Sequence, residues 1–278
     1  MKHPSRVTAL CTAALVLALA SARTHAITYG HIDVAGAFGN TGAFMVKSPA
    51  GNNFPICTGT LIAPRVFLTA SHCTDYFEQT LAPLGFTAYV SFDGVIPWGA
   101  LTSPATKLVT VTGVYTNPNY DQTQNDPGDI AVLTVDAAQT VGITPAVLPT
   151  AGLLDALGAK NGLKGTVFTN AGYGLQDRVT GGGTPFFNDA NPVPRMYAFS
   201  SFDALNKVFL RLSQNASTGD GGTCFGDSGG PNFLTVDGRE VLVAITITGD
   251  SVCRATNVDY RLDSAPARAF LAPFVTLP

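Results

Sequence analysis

The sequence predicts an all-β protein that is built from two similar β units and contains few helices. The chain of 278 residues is 46% hydrophobic and only 13% charged, and it holds 29 Gly and 18 Pro. Short apolar runs, rich in β-branched and aromatic residues, recur about 8–15 residues apart and are separated by Gly, Pro, Asn and Asp. This pattern is typical of antiparallel β-sandwiches and β-barrels.

The apolar runs fall into two series, and each series predicts one β unit. The first unit covers about residues 27–140, and the second covers about residues 160–263. The first series consists of residues 43–46, 60–62, 66–68, 88–90, 108–111 and 130–133. The second series consists of residues 165–168, 207–210, 232–234 and 240–248.

Three other segments lack this pattern. Residues 136–162 carry Pro and Gly and are expected to form a linker with at most one helical turn. Residues 176–206 contain three consecutive glycines and several prolines, which predicts a long surface loop with little strand. Ser264 followed by Ala-rich sequence predicts a short C-terminal helix, because serine is a favourable N-cap.

The first 26 residues have the features of a secretory signal peptide. Lys2 and Arg6 precede an apolar run over residues 7–20, and small residues follow it. Cleavage after Ala26 fits this pattern, and cleavage after Ala22 with a four-residue remnant is the alternative. The mature domain then covers residues 27–278, and we expect an extracellular or periplasmic protein with no stable membrane anchor. An uncleaved anchor is the competing interpretation.

Charge and cysteine content narrow the function further. Removal of residues 1–26 takes away three basic and no acidic residues, so the formal net charge changes from −3 to −6. Basic clusters are scarce, so nucleic acid is not an expected partner.

Cys11 leaves with the signal peptide, and an even number of cysteines in an exported chain predicts disulfides. The four remaining cysteines allow three disulfide pairings. In one of them, each cysteine bonds to the one nearest in sequence, which gives Cys57–Cys73 and Cys224–Cys253. Because no CxxC pair occurs, a metal site is not expected. No cofactor is expected either.

A Gly-rich turn over residues 224–231, with the sequence CFGDSGGP, contains the strongest chemical signal. A serine between glycines can be a structural turn, but it can also present a nucleophile to a closely approaching substrate. In the second interpretation Ser228 attacks a carbonyl, and the N–H groups of Gly226 and Ser228 stabilise the resulting oxyanion. This interpretation requires a histidine base and a buried acid elsewhere in the chain.

His72 and Asp129 are the candidates for these two roles. The predicted mature domain has only two histidines, and His72 follows an apolar strand and precedes Cys73. A neutral imidazole can take the serine proton and return it to the leaving amine. Asp129 directly precedes the apolar run 130–133, which would carry it inward. Asp121 and Asp126 are its rivals, and an ordinary turn aspartate is the structural alternative.

The motifs LTASHC, DIAVL and CFGDSGGP occur in this order and resemble those of the chymotrypsin/trypsin-like serine peptidases. The stretch NAGYG over residues 170–174 is similar to a further motif of that family. The resemblance runs from Ile27 to about Leu271. It implies two six-stranded antiparallel β-barrels, with His72, Asp129 and Ser228 as the triad in the cleft between them. It also implies the pairings Cys57–Cys73 and Cys224–Cys253 and an oxyanion hole at Gly226 and Ser228.

The resemblance further implies an activation device. In that family a new α-amino group on Ile or Val pairs with the acid that precedes the nucleophile, which here is Asp227. Ile27 follows the predicted cleavage site, so we expect its freed amino group to form an activation ion pair with Asp227. The alternative is that Ile27 merely begins the first strand.

Substrate preference follows from positions that line the family's specificity pocket, which here are Gly222, Thr223, Gly249 and Val258. Relatives that cut after Arg or Lys carry an Asp where this chain has Gly222. We therefore expect preference for apolar residues of small to middle size before the cut. The alternative is a preference for Arg or Lys before the cut, with Asp250 near the pocket mouth as the countercharge. Residues 247–249 depart from the family's usual Ser-aromatic-Gly, which removes a hydroxyl from the environment of the buried acid.

The sequence therefore predicts a secreted serine endopeptidase that acts on protein or peptide substrates and could meet protein inhibitors. The rival is a catalytically inactive binding homologue on the same fold, which usually lacks a triad residue. An esterase is excluded because its acid and histidine follow the serine, and no histidine follows Ser228. The triplet at residues 215–217 is a glycosylation sequon, whose use depends on the host.

Overall fold

The fold is known from a computed structural model of the full chain. The structure describes residues 27–96, 106–176, 178–179, 186–187 and 192–278. The predicted signal peptide lies outside the described residues. In the described part, no helix combines the length and the apolar character that crossing a bilayer requires.

Six antiparallel strands of the first half close into a barrel in the order β2-β3-β4-β8-β7-β5. Their cores contain the apolar runs of the first series, with Phe44, Leu61, Phe67 and Leu133 fully buried inside. The strands are β2 (Thr41–Lys47), β3 (Asn53–Ala63), β4 (Val66–Thr69), β5 (Thr87–Ser91), β7 (Val109–Thr116) and β8 (Ala131–Val135).

Six strands of the second half form a second closed barrel in the order β13-β14-β17-β16-β15-β9, with β9 pairing back to β13. The prediction of two six-stranded antiparallel barrels is therefore confirmed. These strands are β9 (Val167–Gly172), β13 (Met196–Leu205), β14 (Phe209–Ser213), β15 (Pro231–Val236), β16 (Arg239–Gly249) and β17 (Thr256–Arg261).

Short strand pairs and helices complete the described fold. The short strands are β1 (His31–Ile32), β6 (Val95–Ile96), β10 (Arg178–Val179), β11 (Phe186–Phe187) and β12 (Val193–Pro194). The α-helices are α1 (Ser71–Tyr76), α2 (Leu153–Gly158) and α3 (Ala265–Leu271). The single-turn 3₁₀ and π elements are Phe77–Leu81, Ala82–Leu84, Ala137–Gln139, Ala159–Asn161 and Ala216–Thr218.

The C-terminal helix agrees with its prediction, whereas one loop prediction is wrong in part. The Ser264 side chain accepts a hydrogen bond from the Ala267 N–H and so caps α3. Residues 196–205, which were expected in a surface loop, form the long strand β13. Every second side chain at the start of this strand is buried, namely those of Met196, Ala198 and Ser200. The strand pairs with both β9 and β14. Pairing with a strand on each side stabilises β13, although the residues before it have the composition of a loop.

The two barrels are tied together by hydrogen bonds at their interface. The Thr58 N–H of β3 donates to the Ser228 carbonyl at 2.9 Å, and the Thr58 hydroxyl donates to the Gly226 carbonyl at 2.9 Å. On the other side, the hydroxyl of Tyr260 in β17 donates to Asp126 Oδ1 at 2.9 Å. The two Thr58 contacts place the Gly-rich turn of the second barrel against the first barrel.

Candidate active site

His72 is the second residue of helix α1, which begins two residues after strand β4 ends at Thr69. The Cys57–Cys73 disulfide ties this helix to β3. The Ser71 hydroxyl donates to the Ile130 carbonyl at 2.7 Å, which joins the start of α1 to the residue that follows Asp129. The positions of His72 and Asp129 are therefore fixed relative to each other by backbone contacts as well as by their side chains.

Asp129 makes two hydrogen bonds to His72. Its Oδ2 lies 2.8 Å from the imidazole Nδ1, and its Oδ1 accepts the His72 backbone N–H at 2.9 Å. The Asp129 residue is only 4% exposed, so this pair is shielded from water. A carboxylate in this position holds the Nδ1–H tautomer and leaves Nε2 free to accept a proton.

The two rival acids have other partners. The Asp126 carboxylate accepts from the Tyr260 hydroxyl and from the Gly128 N–H, so it stabilises the turn that leads to Asp129. Asp121 accepts from Thr123 and Gln124 in an exposed turn, and these hydrogen bonds lower the pKa of its carboxyl. Among the three candidates, the structure places only Asp129 against the imidazole.

Ser228 and His72 line the same cleft, which has a volume of about 290 Å³. The turn that carries Ser228 is fixed at both ends: the Asp227 N–H donates to the Cys224 carbonyl, and the Gly229 N–H donates to the Thr246 carbonyl. Gly226 has a φ of 99°, which a side chain would strain, and an added Cβ would lie 2.9 Å from Gly174 Cα. Glycine is therefore required at position 226 for both backbone conformation and space.

The N–H groups of Gly226 and Ser228 have no hydrogen-bond acceptor among the residues that the structure describes. Backbone N–H groups in a protein interior are nearly always paired, so two free ones beside a cleft are unusual. They are available to an oxygen atom of a bound molecule.

Asp227, the neighbour of Ser228, points away from the cleft and is fully buried. Its carboxyl accepts the N–H groups of Gly174 at 2.8 Å and Cys224 at 2.9 Å. Burial raises the pKa of Asp227 to about 7, and these hydrogen bonds oppose the rise. Gly172 and Gly174 have no space for a Cβ because the Asp227 carboxyl occupies it. This contact gives a physical reason for the glycines of the stretch 170–174.

Ile27 lies in an apolar cluster that includes Met196 and Tyr173, and Tyr173 directly precedes Gly174, a hydrogen-bond partner of Asp227. It is fully buried, and the next residue, Thr28, exchanges two backbone hydrogen bonds with Gly222. In the full chain the Ile27 nitrogen belongs to a peptide bond and carries no charge. The structure thus places the start of the predicted mature domain beside the Ser228 turn, but it holds no ammonium group at this position.

Only part of the predicted specificity pocket lines the cleft. Thr223 and Gly249 do so together with Asp250, whereas Gly222 and Val258 are not among the lining residues. Val258 pairs with Thr248 next to a register shift in β16, and its neighbours Asn257 and Asp259 face the buried side. The sequence did not indicate that Thr246 lines this cleft.

Both predicted disulfides are present, which removes the cysteines from any metal site. Cys224 and Cys253 are bonded across a separation of 29 residues, and both line the cleft. Cys57 and Cys73 lie close enough to His72 for a metal cluster, but their sulfur atoms are joined to each other. A disulfide sulfur is not the thiolate that a metal requires.

The comparison with protein families agrees with this geometry. The family model described as "Trypsin" matches residues 33–265 of the chain. The matched region contains both barrels' strands from β2 to β17, the His72–Asp129 pair and the Ser228 turn.

Proposed function

Since the chain belongs to the trypsin family and is therefore a serine endopeptidase, we propose that it cleaves peptide bonds with Ser228, His72 and Asp129. Ser228 is the nucleophile, His72 is the general base and Asp129 orients the imidazole. The observation that carries this assignment is the pair of hydrogen bonds that the Asp129 carboxylate accepts from His72, which lines the same cleft as Ser228.

The reaction then proceeds through an acyl-enzyme. The Ser228 hydroxyl attacks the substrate carbonyl while His72 Nε2 takes its proton, and Asp129 stabilises the imidazolium that forms. The free N–H groups of Gly226 and Ser228 stabilise the negative oxygen, a contribution of about 3–4 kcal/mol for one such donor in a related case. His72 next protonates the leaving amine, and water hydrolyses the ester by the same steps.

Labelling with an aryl sulfonyl fluoride tests the nucleophile. We expect the wild-type protein to gain one covalent sulfonyl group and to lose activity on peptide substrates. The Ser228→Ala variant should remain unlabelled, and its kcat should fall by about 10⁴–10⁶-fold. Labelling of the alanine variant at the same rate would overturn the assignment.

We further propose that the protein is exported to an extracellular or periplasmic space and is activated by the release of Ile27. The two disulfides support export, because such bonds persist in oxidising compartments. The backbone pairing of Thr28 with Gly222 supports activation, since it fixes the predicted new N-terminus beside a residue that lies five positions before Asp227. N-terminal sequencing of the secreted active protein should therefore give Ile-Thr-Tyr-Gly, and any other start contradicts this proposal.

For specificity we propose cleavage after apolar residues of small to middle size. Gly222 provides no negative charge at the pocket base. The carboxylate of Asp250 already accepts the N–H groups of Arg254, Ala255 and Thr256, which argues against its use as a countercharge for a basic residue. In a panel of peptides that differ only in the residue before the cut, alanine, valine and leucine should be preferred. Fastest cleavage after arginine contradicts this specificity.

A further inference from the structure

We propose that Gln214 forms the floor of the specificity pocket and limits the size of the side chain that it accepts. This inference rests on the proposed function, because it defines the pocket that serves Ser228. Gln214 precedes the loop 215–222 and is only 1% exposed. Its side chain approaches two glycines of the predicted pocket, Gly222 and Gly249. It lies directly behind Gly249 and Asp250, which line the cleft, and is not itself one of the lining residues.

The space that Gly222 leaves open is filled by Gln214. A Cβ added at Gly222 would overlap the Gln214 Oε1 and would lie 2.5 Å from its Cβ and 3.0 Å from its Cδ. A Cβ added at Gly249 would lie 3.7 Å from Gln214 Nε2. The carboxamide thus occupies the direction in which a side chain at position 222 would point, so the missing side chain does not deepen the pocket.

Gln214 is held in place rather than free to swing aside. Its backbone N–H donates to the Ala255 carbonyl at 3.0 Å. Its Nε2 donates to the Thr256 carbonyl at 3.2 Å and to Asp250 Oδ1 at 3.3 Å. The Asp250 carboxylate is itself fixed by backbone N–H groups, which lower the pKa of its carboxyl. A floor held by such a network excludes longer side chains instead of yielding to them.

The floor is also electrically neutral. Among the described residues, no donor reaches Gln214 Oε1, although this oxygen is buried. Leaving this buried oxygen without a donor costs free energy of folding. Unlike a carboxylate, however, a neutral amide oxygen does not strongly attract a cation. The amide therefore gives a neutral base to a shallow pocket, in agreement with an apolar preference and without attraction for lysine or arginine.

Shortening Gln214 tests the proposal. In Gln214→Ala, we expect the ratio of kcat/KM for phenylalanine over alanine before the cut to rise by about 10–100-fold, because each methylene of pocket space is worth about 10-fold or more. Gln214→Asn removes one methylene and keeps the amide, so it should give a smaller rise. Gln214→Met keeps the length but loses the hydrogen bonds of Nε2, so its ratio should lie closer to wild type than that of Gln214→Ala.

A buried glutamine elsewhere supplies the matched control. Gln176 is also 1% exposed, but an added Cβ at Gly222 or Gly249 would meet Gln214 and not Gln176, so Gln176→Ala should not change the ratio. The proposal is overturned if Gln214→Ala and Gln214→Asn both retain the wild-type ratio, or if Gln214→Met changes it as much as Gln214→Ala. If Gln214→Ala does not fold, the Asn and Met pair decides alone. Sulfonyl fluoride labelling of the same wild-type preparation shows separately whether Ser228 is the nucleophile.

Discussion

At the scale of single residues, Asp129 and Asp126 differ in what they touch although they share one turn. Asp129 contacts His72, whereas Asp126 accepts from Tyr260 and Gly128. Asp129→Asn should lower kcat by about 10⁴-fold at neutral pH, because an asparagine favours the wrong imidazole tautomer. Asp126→Asn keeps an acceptor and should lower kcat by less than about 10-fold. Equal losses in stopped-flow or steady-state assays would show that Asp129 has no special role.

Tyr260 reaches from the second barrel into the turn that presents Asp129. Its hydroxyl donates to Asp126 Oδ1 at 2.9 Å, and burial next to this acid raises the pKa of the phenol above its usual range. Tyr260→Phe should lower the free energy of unfolding by about 1–3 kcal/mol, the range for a hydrogen bond to a charged group. Urea denaturation measures this loss. Tyr115→Phe, at a half-exposed tyrosine, is the control and should have no effect.

The residues proposed as the triad could be selected from the sequence because each occurs in a short motif with its own local cues. His72 stands beside a cysteine, Asp129 precedes an apolar run and Ser228 lies between glycines. Gln214 had no such cue, since its position depends on contacts with Gly222 and Asp250 that the fold creates. Val258 was assigned to the pocket by counting from Cys253, and such a count cannot include the register shift in β16, so its place in the pocket stays a prediction.

At the scale of elements, the strands of both barrels were predictable where their apolar runs were short and bounded by turns. Strand β13 was not, because Pro-rich sequence precedes it and its burial comes from pairing with β9 and β14. Helix α1 was also missed: the sequence indicated a strand end at His72, whereas the Cys57–Cys73 bond and the Ser71 hydroxyl anchor a helix there. Tertiary contacts decide such segments more than local propensity does.

The Cys224–Cys253 disulfide joins the Ser228 turn to the loop that follows β16. It spans 29 residues, and the chain-entropy model gives such a bond about 3–4 kcal/mol of stability. Replacing both cysteines with alanine should lower the free energy of unfolding by this amount in urea titrations. Because both residues line the cleft, we also expect KM to rise more than kcat falls. A fall in kcat with KM unchanged would mean that the bond acts on the catalytic groups instead.

At the scale of the whole molecule, the candidate active site lies where the two barrels meet. The first barrel supplies His72 and Asp129, and the second supplies Ser228. Thr58 fastens the Ser228 turn to the first barrel. None of these long-range contacts is visible as a motif, so the sequence could predict the identity of the residues but not how the interface holds them. Asp227 is buried next to Ser228, and the titration of its carboxyl makes the state of this region measurable.

The pH dependence of stability should differ between the full chain and the form that begins at Ile27. In the full chain, burial raises the pKa of Asp227 from 3.8 to about 7. Its protonated form contributes stability that is complete below the unfolded pKa and is lost as pH rises through the folded value. Stability should thus fall between about pH 4 and pH 7, by an amount on the order of 4 kcal/mol from this group. Urea titrations across this range measure the fall.

In the form that begins at Ile27, an ammonium group beside Asp227 should lower the pKa of the carboxyl and reverse the sign of its contribution. Stability then rises as pH increases through the acidic range, and it persists at neutral pH until the amine loses its proton. Asp227→Asn removes the titrating group, so the two forms of this variant should show the same pH dependence. If the wild-type forms already show parallel curves, then the freed amino group does not reach Asp227, and activation by the release of Ile27 is wrong even where Ser228 remains the nucleophile.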